Sequence, residues 1–200
     1  MMQESIAWLT TNGLEVVGAL LGLAYIILGV RQNILTWPAG ILSSLLYIFI
    51  FLDARLYANM GLQFYYTAMS LYGWYYWLRG KREDPGGKLP VVALTPRQGA
   101  TAAAIALPLF LIISFILKNY TDSPVPVTDA FISTMGIIGT WMLARKILFN
   151  WIIWIISDSC AITLYLSRDM WPTALLYIIY LGMAFYGYLT WKRTLTPSAS

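Results

Sequence analysis

Apolar residues fill seven stretches of the chain, at about 14–30, 34–52, 57–78, 99–118, 128–145, 148–167 and 171–191, with short polar intervals between them. A helix needs roughly 17–25 such residues to cross a bilayer, so the pattern predicts seven transmembrane helices. The longest polar interval, 79–98, carries Arg79, Lys81, Arg82, Lys88 and Arg97 around Pro85-Gly86-Gly87. A second break at 119–127 holds Asn119, Asp122, Ser123, Pro124 and Pro126. Pro38 and Pro172 fall in first turns, where a missing N–H costs little. Glu15 and Asp129 open the first and fifth helices, where an acid meets the positive end of the helix dipole.

Composition supports this pattern. A hydrophobic content of 59% against 11% charged residues, with mean hydropathy +0.66, describes an all-α membrane protein rather than a soluble domain. There is no histidine and only one cysteine, Cys160. An intramolecular disulfide, the usual zinc ligand sets and the commonest general base are therefore missing, and no metal site, cofactor or enzyme activity is expected. Residues 1–11 lack a basic region before the first apolar run, so a cleaved signal peptide is not expected. With the N-terminus outside, ten basic residues fall on the cytoplasmic side: Arg31, the five of the long interval, Arg145, Lys146, Lys192 and Arg193. Arg55, Lys118 and Arg168 fall on the other. The positive-inside bias predicts a multi-pass membrane protein with its N-terminus out and its C-terminus cytoplasmic.

The first and last thirds of the chain repeat. Shifting the sequence by 114 residues without a gap superposes Glu15 on Asp129, Gly22 on Gly136, Arg31 on Arg145 and Trp37 on Trp151. It also superposes Tyr66 on Tyr180, Tyr72-Gly73 on Tyr186-Gly187 and Trp77 on Trp191. A three-helix unit ends opposite to where it starts, so a single helix between two copies restores their common orientation. Segment 99–118, Ala-rich and containing Pro108, is that helix. The expected plan is 3+1+3 with parallel repeats: 1–78, a loop and linker helix over 79–127, and 128–200. Transporters of this plan bind substrate near the midplane between the halves.

The chemistry concentrates on the sixth helix. At 100° per residue Trp151, Trp154 and Asp158 lie within about 60° of one another, over about 10 Å of axis. A carboxylate facing hydrocarbon at that depth costs at least about 2.5 kcal/mol, so Asp158 must face protein, water or ligand. Two indoles and a carboxylate on one face suit a flat cation, while packing or interface anchoring accounts for the indoles equally well. The repeat places Trp37, Gly40, Ser44 and Tyr47 on the matching face of helix 2, with Gly40 where the copy has Trp154 and Ser44 where it has Asp158. That asymmetry leaves room for a ligand, or permits close helix packing. Helix 3 carries one polar stripe, Asn59, Gln63, Tyr66 and Ser70; helix 7 has Thr173, Tyr177, Tyr180 and Ala184 at the same places. Amides and phenols suit sugar hydroxyls or an exocyclic amide, and interhelical hydrogen bonds as well. Trp8, Trp37, Trp77, Trp171 and Trp191, near helix ends, read mostly as interface-belt residues.

Trp-x-x-Trp-x-x-x-Asp at 151, 154 and 158 resembles the Trp-x-x-Trp-x-x-x-Asn/Asp signature of PnuC-type vitamin transporters. Leu56-Tyr57-Ala58, Leu62-Gln63 and Tyr72-Gly73-Trp74-Tyr75-Tyr76-Trp77 are similar to that family's third helix. The resemblance implies an architecture shared with the SWEET and semiSWEET sugar facilitators. It implies facilitated diffusion of nicotinamide riboside across the bacterial inner membrane, a trimer, and a cytoplasmic kinase that traps the product. Similar proteins are assigned to thiamine, riboflavin or deoxynucleosides. The expected function is import of a small cationic vitamin, nicotinamide riboside first. Thiamine transport and proton-coupled symport of a vitamin or nucleoside are the alternatives, the last because Asp158 alone can titrate.

Overall fold

The computed structural model describes residues 2–53, 57–79 and 89–195, with the side chains of residues 2–12, 15, 16, 57, 58 and 172 outside that description. Arg55, Lys81, Arg82, Lys88 and the Pro85-Gly86-Gly87 stretch fall outside the described residues, as do the Trp8, Glu15, Tyr57, Ala58 and Pro172 side chains. Among the described residues seven helices follow in order: α1 Met2–Val30, α2 Thr36–Asp53, α3 Tyr57–Arg79, α4 Pro96–Tyr120, α5 Pro126–Ala144, α6 Asn150–Ser167 and α7 Trp171–Lys192. By length and composition α2, α4, α5 and α7 are apolar enough to cross a membrane. α1 begins twelve residues before its apolar stretch. Hydropathy marks where a chain prefers lipid, whereas residues 2–13 contain no proline to stop a helix from continuing past that point. α4 begins three residues early for a local reason. Thr95 accepts from the Gln98 N–H (3.3 Å) while the Gln98 side chain accepts from the Thr95 N–H (3.0 Å), a capping box with Pro96 at the first helical position.

The chain divides into two compact units, Met1–Gly80 and Lys81–Ser200, with α4 in the second. In the first, α2 packs against both α1 and α3; in the second, α6 packs against α5 and α7, and α4 against α5. Ala102 of α4, Ile138 and Met142 of α5, and Ile147 and Ile153 form the core beneath α4. Residues just before α4 are tied to the α5–α6 turn. Val92 N–H donates to Lys146 O (3.0 Å), Leu148 N–H to Val92 O (2.9 Å), and the buried Lys146 Nζ to Leu89 O (2.8 Å).

The 114-residue repeat extends to the backbone. After α1, Gln32 N–H donates to Gly29 O (3.0 Å), Asn33 N–H to Leu28 O (2.9 Å) and Thr36 N–H to Asn33 O (3.0 Å). After α5, Lys146 N–H donates to Leu143 O (3.0 Å), Ile147 N–H to Met142 O (2.9 Å) and Asn150 N–H to Ile147 O (3.1 Å). Every donor and acceptor is displaced by the same 114 positions. Gln32 and Lys146 share a φ of 53°, a left-handed conformation uncommon outside glycine that fixes the angle at which the second helix leaves the turn.

Candidate functional site

Each unit is built on a tryptophan seated over a glycine. Trp37 of α2 is fully buried, and a Cβ added to Gly73 of α3 would lie 2.4 Å from its ring. Trp151 of α6 is 3% exposed, and a Cβ on Gly187 of α7 would lie 2.7 Å from its ring. Only glycine lets the neighbouring helix come that close. Trp77 meets Trp37 edge-on at 5.2 Å and 89°, and Trp191 meets Trp151 at 5.4 Å and 85°. This corrects two expectations. Trp37, Trp77 and Trp191 are buried inside their units rather than at a membrane interface. Trp37 and Trp151, expected on a ligand-facing surface, have both ring faces taken by packing. Their indole N–H groups, at equivalent positions, have no hydrogen-bond acceptor among the described residues.

One α-helical turn further along α6, Trp154 is half-buried, and one more turn brings Asp158, only 5% exposed. No counter-charge compensates that carboxylate among the described residues. It lies within electrostatic reach of the Tyr177 phenol, which shares a hydrogen bond with Tyr165. Tyr177 and Tyr180 stand edge to face at 5.6 Å. Asp158, Tyr165, Tyr177 and Tyr180 thus form one cluster on α6 and α7, with Trp154 on the same face of α6.

In the first unit the equivalents behave differently. Ser44, at the position of Asp158, donates to Gly40 O (2.7 Å) and accepts from Thr67 Oγ1 (2.8 Å), so its hydroxyl is satisfied within the unit. The room expected at Gly40 is occupied: a Cβ there would lie 2.8 Å from the Tyr25 ring and 2.9 Å from Ser70 Oγ. Tyr25 also lies within electrostatic reach of Tyr65 and Tyr66. Gln63 and Tyr66 are half-buried, while Asn59 is exposed near the start of α3. An apolar cavity of about 450 Å³ between α4, α5 and the start of α6 is lined by none of these residues.

Tyr25, Tyr65, Thr67 and Tyr165 were not singled out from sequence. Tyr25 carried a signal: at a shift of 114 it falls on Gly139, just as Gly40 falls on Trp154.

The sequence profile of the family described as nicotinamide mononucleotide transporter matches residues 12–193. The chain belongs to this transporter family. The transporter is 31% identical over 179 residues to the riboflavin/roseoflavin transporter RibM of Streptomyces davaonensis, covering 88% of this chain and 83% of the relative. It is 22% identical over 201 residues to the nicotinamide riboside transporter PnuC of Escherichia coli K12, covering 89% and 84%. Its fold is similar to the crystal structure of the vitamin B3 transporter PnuC, with a TM-score of 0.73 at 20% identity over 96% of this chain and 86% of that one. The protein is a multi-pass vitamin transporter of the PnuC family and not an enzyme.

Proposed function

We propose that the transporter imports a vitamin with a flat, positively charged ring by facilitated diffusion, nicotinamide riboside first and thiamine as the alternative in the same charge class. The Asp158 carboxylate carries this reading: nearly buried, in the middle of α6, and without a counter-charge among the described residues. A group in that setting is stabilised by a cation that arrives with the substrate. Trp154 offers a ring face, and Tyr177, Tyr180, Gln63 and Tyr66 offer phenols and an amide for the ribose and carboxamide. Trp151 and Trp37 act from behind, holding the helices that present these groups. Riboflavin is a second reading, favoured by the 31% identity to RibM. Its neutral ring system would leave Asp158 to accept hydrogen bonds from an imide N–H or ribityl hydroxyls.

All seven helices cross the bacterial cytoplasmic membrane in this reading. α4 acts as the single crossing that lets α5 start on the same side as α1. The N-terminus is outside, and trimer formation and trapping by a cytoplasmic kinase carry over from the family resemblance. Ten basic residues against three support the orientation. A cysteine at exposed Arg193, with Cys160→Ala as background, is expected to resist impermeant thiol reagents in intact cells and to label after permeabilisation. Labelling in sealed cells would reverse the topology.

Transport in proteoliposomes tests the energetics. Labelled nicotinamide riboside is expected to equilibrate to equal concentrations, with or without a protonophore. Accumulation against its gradient under an imposed pH gradient would instead make the protein a symporter and Asp158 a coupling residue.

A further inference from the structure

We propose that Tyr25 is the substrate-ring contact of the first unit, the counterpart there of Trp154, and that it helps set which ring the transporter accepts. The inference rests on the vitamin-transport reading above and adds a residue on α1 that neither the signature motif nor the polar stripe contains.

In each unit, one large ring and one glycine meet where the first and middle helices pack. In the second unit the ring is Trp154 of α6, and a Cβ on Gly139 of α5 would lie 3.1 Å from it. In the first unit the glycine is Gly40 of α2, and the ring is Tyr25 of α1, 2.8 Å from the Cβ position. The four residues pair at the 114-residue shift, Tyr25 with Gly139 and Gly40 with Trp154. The ring has changed helices while keeping its layer. The layer two turns away is arranged in the opposite sense: Gly18 of α1 receives Tyr47 of α2, with 3.1 Å from Cβ position to ring, whereas the copy has Ile132 and Ala161. A large residue on either helix satisfies packing. What both units retain at the first layer is an aromatic one.

Tyr25 is placed as a contact residue would be. Its ring stands edge-on to Trp37 at 6.3 Å and 71°, so a fully buried indole fixes its orientation. It remains half-buried, within reach of Tyr65 and Tyr66. Its hydroxyl makes no hydrogen bond among the described residues. An oriented phenol with few rotamers to lose supplies both a ring face and a hydrogen-bond donor or acceptor, for a carboxamide, an imide or a sugar hydroxyl. The first unit then offers a phenol where the second offers an indole.

Three variants separate contact from packing: Tyr25→Phe, Gly40→Trp, and the double variant Tyr25→Gly with Gly40→Trp, which moves the ring onto α2 as in the second unit. Purified protein is titrated calorimetrically with nicotinamide riboside, thiamine and riboflavin, and its thermal midpoint is measured without ligand. Tyr25→Phe is expected to keep the wild-type midpoint and to weaken the tightest vitamin about three- to tenfold, the loss of one hydrogen bond. Gly40→Trp alone should lower the midpoint, and the double variant should recover the part of the loss due to the Tyr25 ring, with Ser70 Oγ still 2.9 Å from the new Cβ. The double variant should also shift the ratio of the riboflavin and nicotinamide riboside Kd values about tenfold or more, a specificity change that packing alone does not produce. If the wild type binds one of the three and Tyr25→Phe and the double variant bind all three as the wild type does, Tyr25 is a packing residue and the inference fails alone. If the wild type binds none of them, the vitamin-transport reading fails and takes this inference with it.

Discussion

Asp158→Asn is expected to separate cationic from neutral ligands. Asparagine keeps the size of the side chain and a hydrogen-bonding oxygen while removing the charge. Taking one partner from a buried charge pair costs about 2 kcal/mol or more, close to a thirtyfold loss of affinity. Nicotinamide riboside and thiamine should lose that much by calorimetric titration, while riboflavin and a neutral nucleoside should change by less than about threefold. The prediction is sharp because Asp158 is nearly buried and no counter-charge offsets it among the described residues. Unchanged affinity for the tightest-binding cation would return Asp158 to helix pairing. An equal loss for neutral and charged ligands would point to hydrogen bonding and favour the flavin.

Substituting the seat glycines should cost stability before it costs anything else. Gly73→Ala puts a methyl 2.4 Å from the Trp37 ring, and Gly187→Ala puts one 2.7 Å from Trp151. These contacts are too short for a carbon pair, and neither indole has an open side to retreat into. Overpacking of this kind costs about 3 kcal/mol, which lowers the thermal midpoint of a protein this size by about 6–12 °C. Trimming the facing ring should recover part of the loss, Trp37→Phe for Gly73→Ala and Trp151→Phe for Gly187→Ala. A midpoint within about 2 °C of wild type for either single variant would mean the helices can separate freely there, and that the tryptophan seat is not what fixes their spacing.

Helix number and position were legible because burial in lipid demands long apolar runs, and the observed helices overlap all seven predicted stretches. The ends were less legible. The α4 start depends on two polar side chains, Thr95 and Gln98, closing on each other's backbone, an event of four residues that a hydropathy window averages away. Within the candidate site, periodicity showed which residues share a side of a helix but not which neighbour they meet. Trp151, Trp154 and Asp158 do share a side of α6, yet Gly187 of α7 admits Trp151 into the packing and leaves Trp154 half-buried. Comparing the repeats one position at a time made Gly40 look like room beside a missing Trp154. The residue that fills it is on another helix, and only a comparison of contacting pairs brings Tyr25 and Gly139 into view.

Tandem copies within one gene invite genetic exchange between them, which over time would make the halves alike. The exchanged ring opposes that. A crossover joining the first helix of one copy to the middle helix of the other would set Tyr25 against Trp154, two rings where one fits, and Gly18 against Ala161, where neither fills the space. The reciprocal product would pair Gly139 with Gly40, leaving a hole of about one ring, and crowd Ile132 against Tyr47. Each hybrid would carry one overpacked layer and one hollow one, and each kind of fault costs about 1–5 kcal/mol. The two halves can therefore go on resembling each other without being merged, and each stays at liberty to specialise its own residues.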